Sequence, residues 1–331
     1  VTDPNARSAA SSATAPAQIV DDLLAPLLGA APRFCLCAMS MAVDVVAVVG
    51  LLRERLPKTV IVGTTSCVGV ASSVGERDVA GRRTAAALFV DGDGFFVGAA
   101  SGSDADASAL GERVAKTAAS RAGISGAQVR LAIVHATPGI EEAVLVGMSR
   151  VITDDAVVVG GSGADNDLSG KWFVFGPDGA FADGAAVLLC DWPWKMAVSY
   201  QGGYLATEKS GKITSADGRR VVSIDGRPAA DVYEGWMGKK LPRGQSILSH
   251  TTLTPLGLVY GVGSGLDVHV LVHPERINDD GSISCFADVS PGERIMMMEP
   301  RSRHWCAVAG WWRATPCRRR PSSLQTSSAA C

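Results

Sequence analysis

The chain has 331 residues, 47% hydrophobic and 19% charged, enough for an ordered core in one large or two smaller domains. Its net charge of −2, from 31 basic and 33 acidic residues, offers no broad surface to nucleic acid or to an anionic membrane. No apolar run reaches the roughly 18 residues of a spanning helix, so no membrane insertion is expected.

The chain opens with VTDPNARSAASSATAPAQ, which lacks a basic end followed by an apolar core and does not read as a secretory signal. Residues 1–14 are expected to be disordered. Next come a strand over 34–38, a helix over 43–55 with apolar residues at three-and-four spacing, and a strand over 59–62. That strand runs into a loop of small residues, GTTSCVG. The runs RRTAAALFV and GFFVGAA flank DGDG at 91–94 and predict a hairpin. DADASALGERVAKTAASRAG reads as a helix.

A second strand–helix–strand unit follows: strand 131–135, helix 140–152 with Glu141 and Glu142 in its first turn, strand 156–159 and the loop GGSGADN. Its valine run suits a strand covered on both faces. Set at an offset of 97 without a gap, the two units align, Arg33 with Arg130, Gly50 with Gly147 and Gly63 with Gly160. KWFVFG and FADGAAVLLC flank PDG at 177–179, a second hairpin. Beyond residue 191 the text is rich in turns: SADGRR, SIDGRP, NDDGS and SPGER. Strands are predicted at 221–224, 283–286 and 295–298, and a helix from 229 to 236.

The fold class is therefore α/β to α+β. An N-terminal domain over 15–190 carries the duplicated unit (33–66 and 130–163) in mixed sheets. An α+β domain of antiparallel hairpins follows over 191–300. Residues 301–331, rich in Trp and Arg, read as an atypical disordered tail.

The eight cysteines include no CxxC pair and the five histidines no HExxH, so no metal site is expected, and the free thiols point to a reducing, cytoplasmic compartment. The candidate site is the pair of small-residue loops. Glycine lets a backbone approach a ligand closely, and successive N–H groups can form an anion-binding nest. Both loops follow the carboxyl end of a strand, where open α/β sheets place ligands. Gly160, Gly161, Ser162 and Gly163 supply N–H groups. Asp165 and Asp167 can receive an ammonium or hydroxyl, Thr64, Thr65 and Ser66 supply hydroxyls, and Cys67 and His135 line the site. The bland alternative is a tight connection whose Asx turns satisfy their own backbone. GGSG is neither GxGxxG nor a P-loop. A hydrolase would need Ser162 or Cys67 beside His135, and the GxSxG form ends here in Ala164.

VIVGTTSCVGV, VVVGGSGADND, GKITSADGRRVVSIDGRPAADVYEGW and FADVSPGERIMMM, in this order, resemble the FIST family, with its paired FIST N and FIST C domains. The resemblance implies an intracellular, non-enzymatic sensory module of signal transduction that binds an amino acid or similar small polar molecule. It also implies a partner that is a signalling protein or, from eukaryotic members with F-box segments, a ubiquitin-ligase component. Some family members bind haem and respond to nitric oxide, which makes His135, His250, His269 and His273 candidate axial ligands. A module that only binds protein remains a third alternative. Two departures are Val70, where the family often has an acid, and the tail after Pro300.

Overall fold

The structure, a computed structural model, describes residues 5–67, 69–70, 83–167, 169–198, 203–262 and 266–301. The chain divides into two compact units, Val1–Ala197 and Val198–Cys331.

Unit 1 begins with β1 (Asn5–Ser11), α1 (Pro16–Leu24), β2 (Phe34–Ser40), α2 (Val45–Arg55), β3 (Val60–Ser66) and β4 (Ala85–Asp91). It continues with β5 (Val97–Gly102), α3 (Ala107–Ala122), β6 (Leu131–Ala136), α4 (Glu141–Met148) and β7 (Val157–Ser162). β8 (Val174–Gly176), β9 (Gly179–Phe181) and β10 (Ala185–Cys190) complete it. The helix starts follow local chemistry. Pro16 opens α1, Asp44 caps α2 by accepting from Ala47 N at 3.0 Å, and Asp106 caps α3 by accepting from Ala109 N at 2.9 Å.

Two sheets result, in the orders β1-β4-β2-β3-β8-β9 and β5-β10-β6-β7. Each contains one parallel pair, β2 with β3 and β6 with β7, flanked by antiparallel strands. The first four strands of one sheet repeat the order of the other, so the duplication reaches beyond the strand–helix–strand units. It runs from β1 to β4 and again from β5 to β10, with β8–β9 inserted.

Strand alternation sorts the side chains into layers. Cys35, Cys37, Met39 and Ile61 pack on α1 and α2. Phe34, Val62, Val90, Ile133, Leu188 and Cys190 meet between the two sheets. Ala132, Val134, Ala136, Val187 and Leu189 pack on α3 and α4. Unit 1 is thus a four-layer helix–sheet–sheet–helix sandwich. Gly111 and Gly147 set the α3–α4 spacing, because a β-carbon on either would collide with backbone of the opposite helix.

Three expectations are corrected in unit 1. Asn5–Ser11, expected to be disordered, pairs with β4 over seven residues. The 91–94 turn does not close a hairpin: β4 pairs with β1 and β2, and β5 pairs with β10. A local turn signal carries no information about which sheet the next strand joins. The PDG turn does close a hairpin, β8 with β9, while β10 leaves for the other sheet. Finally, β7 is not covered on both faces. It is the edge of its sheet, and Val158 and Gly160–Ser162 are exposed.

Unit 2 contains β11 (Tyr204–Asp217), β12 (Arg220–Ile224), β13 (Arg227–Pro228), α5 (Ala229–Met237), α6 (Leu248–Thr251), β14 (Leu256–Val262), β15 (Leu266–Val272), β16 (Pro274–Ile277), β17 (Ile283–Cys285) and β18 (Arg294–Pro300). Its strands form one antiparallel sheet, β15-β14-β18-β11-β12-β17-β16, with β13 on β12. The Asp217-Gly218 turn joins β11 to β12, and Asp225 and Gly226 take the left-handed conformation ahead of α5. Tyr233, Val232, Ala229 and Ala230 of α5 pack on Ile213, Val221, Ile224, Ile283 and Ile295 of the sheet. Residues 302–331 lie outside the described residues.

Candidate functional site

The two small-residue segments do meet. Ala164 N donates to Thr65 O at 3.0 Å, Gly163 N donates to Ala136 O at 2.8 Å, and Thr65 N donates to Phe173 O at 2.9 Å. Both segments are more regular than expected: Thr64–Ser66 finish β3, and Gly160–Ser162 finish β7. The glycines permit this. At the equivalent positions Gly63 and Gly160, a β-carbon would overlap the carbonyl oxygen of Cys37 in one repeat and Val134 in the other. The backbone packs too closely on its parallel neighbour for any side chain there.

Several predicted ligand groups are occupied by the fold itself. Thr64 Oγ1 and Thr65 Oγ1 each donate to Phe173 O at 3.3 Å, and Thr65 Oγ1 accepts from Phe173 N at 3.0 Å. Ser66 Oγ donates to Gly69 O at 2.8 Å. Asp165, only 4% exposed, accepts from Gly170 N at 2.7 Å and Lys171 N at 3.1 Å, closing its own loop. Asp167, on the surface, accepts from Ser169 N at 3.2 Å; its hydrogen bonds to Ser169 hold its carboxyl below the usual range. For these residues the tight-connection alternative, in which the side chains satisfy the fold's own backbone, describes the geometry better than a ligand cradle does; among them Asp167 alone makes an Asx turn.

The Ser162–His135 pair of the hydrolase alternative does not form. In the parallel ladder His135 lies opposite Gly161, and Ala136 lies opposite Ser162. Alternation therefore turns His135 toward the layer between the sheets and Ser162 toward α4. His135 Nδ1 sits 3.3 Å from Gly161 O, so it must carry the proton to donate there. Burial pushes the His135 pKa down. Cys67 is exposed, but partial desolvation, with the nearby Asp165 carboxylate, pushes its thiol up, away from the thiolate a nucleophile needs.

Ser162 has another partner. Its Oγ donates to Glu141 Oε1 at 2.6 Å, and Glu141 Oε2 accepts from Gly139 N at 2.7 Å. Glu141 occupies the repeat position of Asp44, which caps its own helix, and Ser162 that of Thr65. The second repeat has turned a capping acid toward the strand edge. Around this pair runs a groove of about 230 Å³, lined by Val134, Leu145, Val158, Gly160, Gly161 and Ser162 beside Glu141. Of the predicted residues only Gly160, Gly161 and Ser162 line it. The sequence pattern marks Glu141 only as a helix-start acid; the signal that it does more is its length, one methylene beyond Asp44 at an equivalent position.

Among the described residues, no group of three or more His, Cys, Asp and Glu side chains could hold a metal ion. Two of the haem candidates are already engaged: His135 with Gly161, and half-buried His273 edge-on against Tyr204 with ring centroids 6.1 Å apart; neither lines a described cleft. No helix among the described residues is long and apolar enough to cross a membrane.

The model of the FIST N domain matches residues 33–227, more than half of the chain. The chain belongs to the FIST N domain family. No curated protein matches it. Among solved structures it is similar to a cyanuric acid hydrolase from A. caulinodans, with 13% identity over 64% of this chain and 71% of that one and a TM-score of 0.33. A second cyanuric acid hydrolase, described as an evolutionary innovation by structural concatenation, is 10% identical over 90% of this chain and 99% of that one, with a TM-score of 0.30. Likeness at that level carries no argument about the activity of this FIST protein.

Proposed function

We propose that this protein is a small-ligand-binding sensory module of signal transduction, with an amino acid or similar small polar molecule docked by its amine in the groove along β7. Membership of the FIST N family supports the sensory role. The observation that carries the site is the Ser162–Glu141 pair beside an open strand edge. A carboxylate has about four acceptor positions, so Glu141 can receive an ammonium while keeping its bonds to Ser162 and Gly139. Val134, Leu145 and Val158 offer apolar surface to a side chain, and Gly160 and Gly161 leave room for it. In this reading Thr64, Thr65, Ser66 and Asp165 hold the backbone at the ends of β3 and β7, His135 braces Gly161 from the opposite face, and Cys67, Gly163 and Asp167 stand outside the groove lining. Unit 2 would be the FIST C domain, and the downstream partner a signalling protein or ubiquitin-ligase component in the cytoplasm.

The test is a thermal-shift screen of the full chain against amino acids and simple amines. A ligand that binds the native state raises the melting temperature by mass action. Glu141→Gln is expected to weaken the best ligand by about tenfold or more. The site is refuted if no amine shifts the melt, or if the glutamine variant binds as the parent does.

A second reading, a protein-interaction module, draws support from unit 2. Tyr260 lies opposite Val268 on the β14–β15 ladder, and both, with Val270, are exposed. On that reading Tyr260→Ser removes binding to a signalling partner and leaves amino-acid binding unchanged.

A further inference from the structure

A second cleft, of about 350 Å³, opens between the two repeats of unit 1, beside the starts of β3 and β5. Arg53 from the last turn of α2, Lys58 from the turn before β3 and Arg121 from α3 all line it. Leu56, Ile61 and Val97 give it apolar walls.

The charges are not balanced. The nearby carboxylate, Asp178, is held by Arg121 in a two-pronged pair at 2.7 and 2.8 Å and also accepts from Ser101 N at 2.9 Å. Arg53 feels Asp178 only as a nearby charge. Its one hydrogen bond among the described residues is long, Nη2 to Gly179 O at 3.4 Å. Its Nε is buried without a partner, although a guanidinium can donate five hydrogen bonds. Burial accordingly pulls the Arg53 pKa down. Lys58 is exposed and has no ion pair among the described residues. Complementing the α2 dipole would account for a basic residue in the last turn. Arg55 does that from outside, paired with Asp21 at 3.1 Å, and it does not face this cleft.

We propose that this cleft binds a small organic carboxylate carried on an apolar body, with Arg53 and Lys58 on the carboxylate and Leu56, Ile61 and Val97 against the body. The cleft is at the lower end of the size range of small-molecule sites, roughly 300–1,000 Å³. A planar guanidinium suits a carboxylate through paired N–H donors. Because Nε is out of reach, the anion would contact the outer nitrogens, and its charge would offset the cost of keeping Nε dry.

The experiment is calorimetric titration of the full chain with benzoate, with benzamide as its neutral counterpart and with inorganic phosphate. Benzoate is expected to bind, at least about tenfold more tightly than either of the others. Arg53→Gln is expected to weaken benzoate by about tenfold or more. Should that variant fail to fold, Lys58→Glu, a change at an exposed position, takes its place with the same expected loss. Glu141→Gln leaves benzoate binding unchanged, which separates this cleft from the amine groove. Benzoate no better than benzamide overturns the charge recognition, and phosphate equal to benzoate overturns the apolar body. Unchanged binding by the cleft variant overturns the site.

Discussion

Gly63 and Gly160 answer one constraint in two places. Each sits over the carbonyl of its parallel neighbour, Cys37 or Val134, with no room for a β-carbon. Gly160→Ala should therefore cost about 1–3 kcal/mol, read as a lower denaturant midpoint, because backbone rather than a flexible side chain must move. Gly161→Ala meets nothing within 4 Å and should leave the midpoint unchanged, a control one residue away. At the same scale Glu141 shows how a single methylene changes a role. Asp44 is short enough to accept from Ala47 N of its own helix, whereas Glu141 reaches across to Ser162 Oγ.

Among the elements, the β8–β9 hairpin joins the two sheets of unit 1. β8 pairs with β3 at Gly63 and Thr64 in one sheet. Its turn residue Asp178 binds Arg121 and Ser101 N of the other repeat, and Asp178 N donates to Ser101 Oγ at 3.1 Å. Both ion-pair partners are partly exposed, so the pair itself is worth little beyond its geometry. Asp178→Ala should cost about 1–2 kcal/mol, chiefly from the lost backbone contact and the freed guanidinium. A protease-susceptibility assay at the hairpin checks it, and unchanged cleavage would refute the joining role.

For the whole molecule, each unit has its own core, and their acid responses should differ. In unit 2 buried Glu234 of α5 accepts from Arg243 Nη1 at 2.6 Å, Lys240 Nζ at 2.8 Å and Leu241 N at 2.8 Å. Arg243, with these other donors, holds its carboxyl down at about 2. The native state thus binds this proton later than the unfolded chain. The contribution is complete above the ordinary glutamate pKa, roughly 4.5, and is lost as pH falls toward about 2. Glu234→Gln should destabilise unit 2 by about 2 kcal/mol at neutral pH, and the gap should close through that acid window. Calorimetry of parent and variant at several pH values checks it. A gap that stays constant from pH 7 to pH 2 would exclude the ion cluster as its source.

The sequence by itself determined the local elements and their repetition. Apolar spacing, capping aspartates and Asp-Gly turns act over a few residues, so the strand–helix–strand units, the PDG hairpin and the turn leading into α5 were legible from them. Tertiary structure alone decided that β1 is a strand, that β4 and β5 part company across an apparent hairpin turn, and that β7 is an open edge. Pairing partners lie tens of residues away and leave no mark on the local pattern. The same holds for chemistry. Which strand face Ser162 and His135 present was settled by register and layer order, so Ser162 answers to Glu141 across the groove and not to the histidine one residue from it in the ladder.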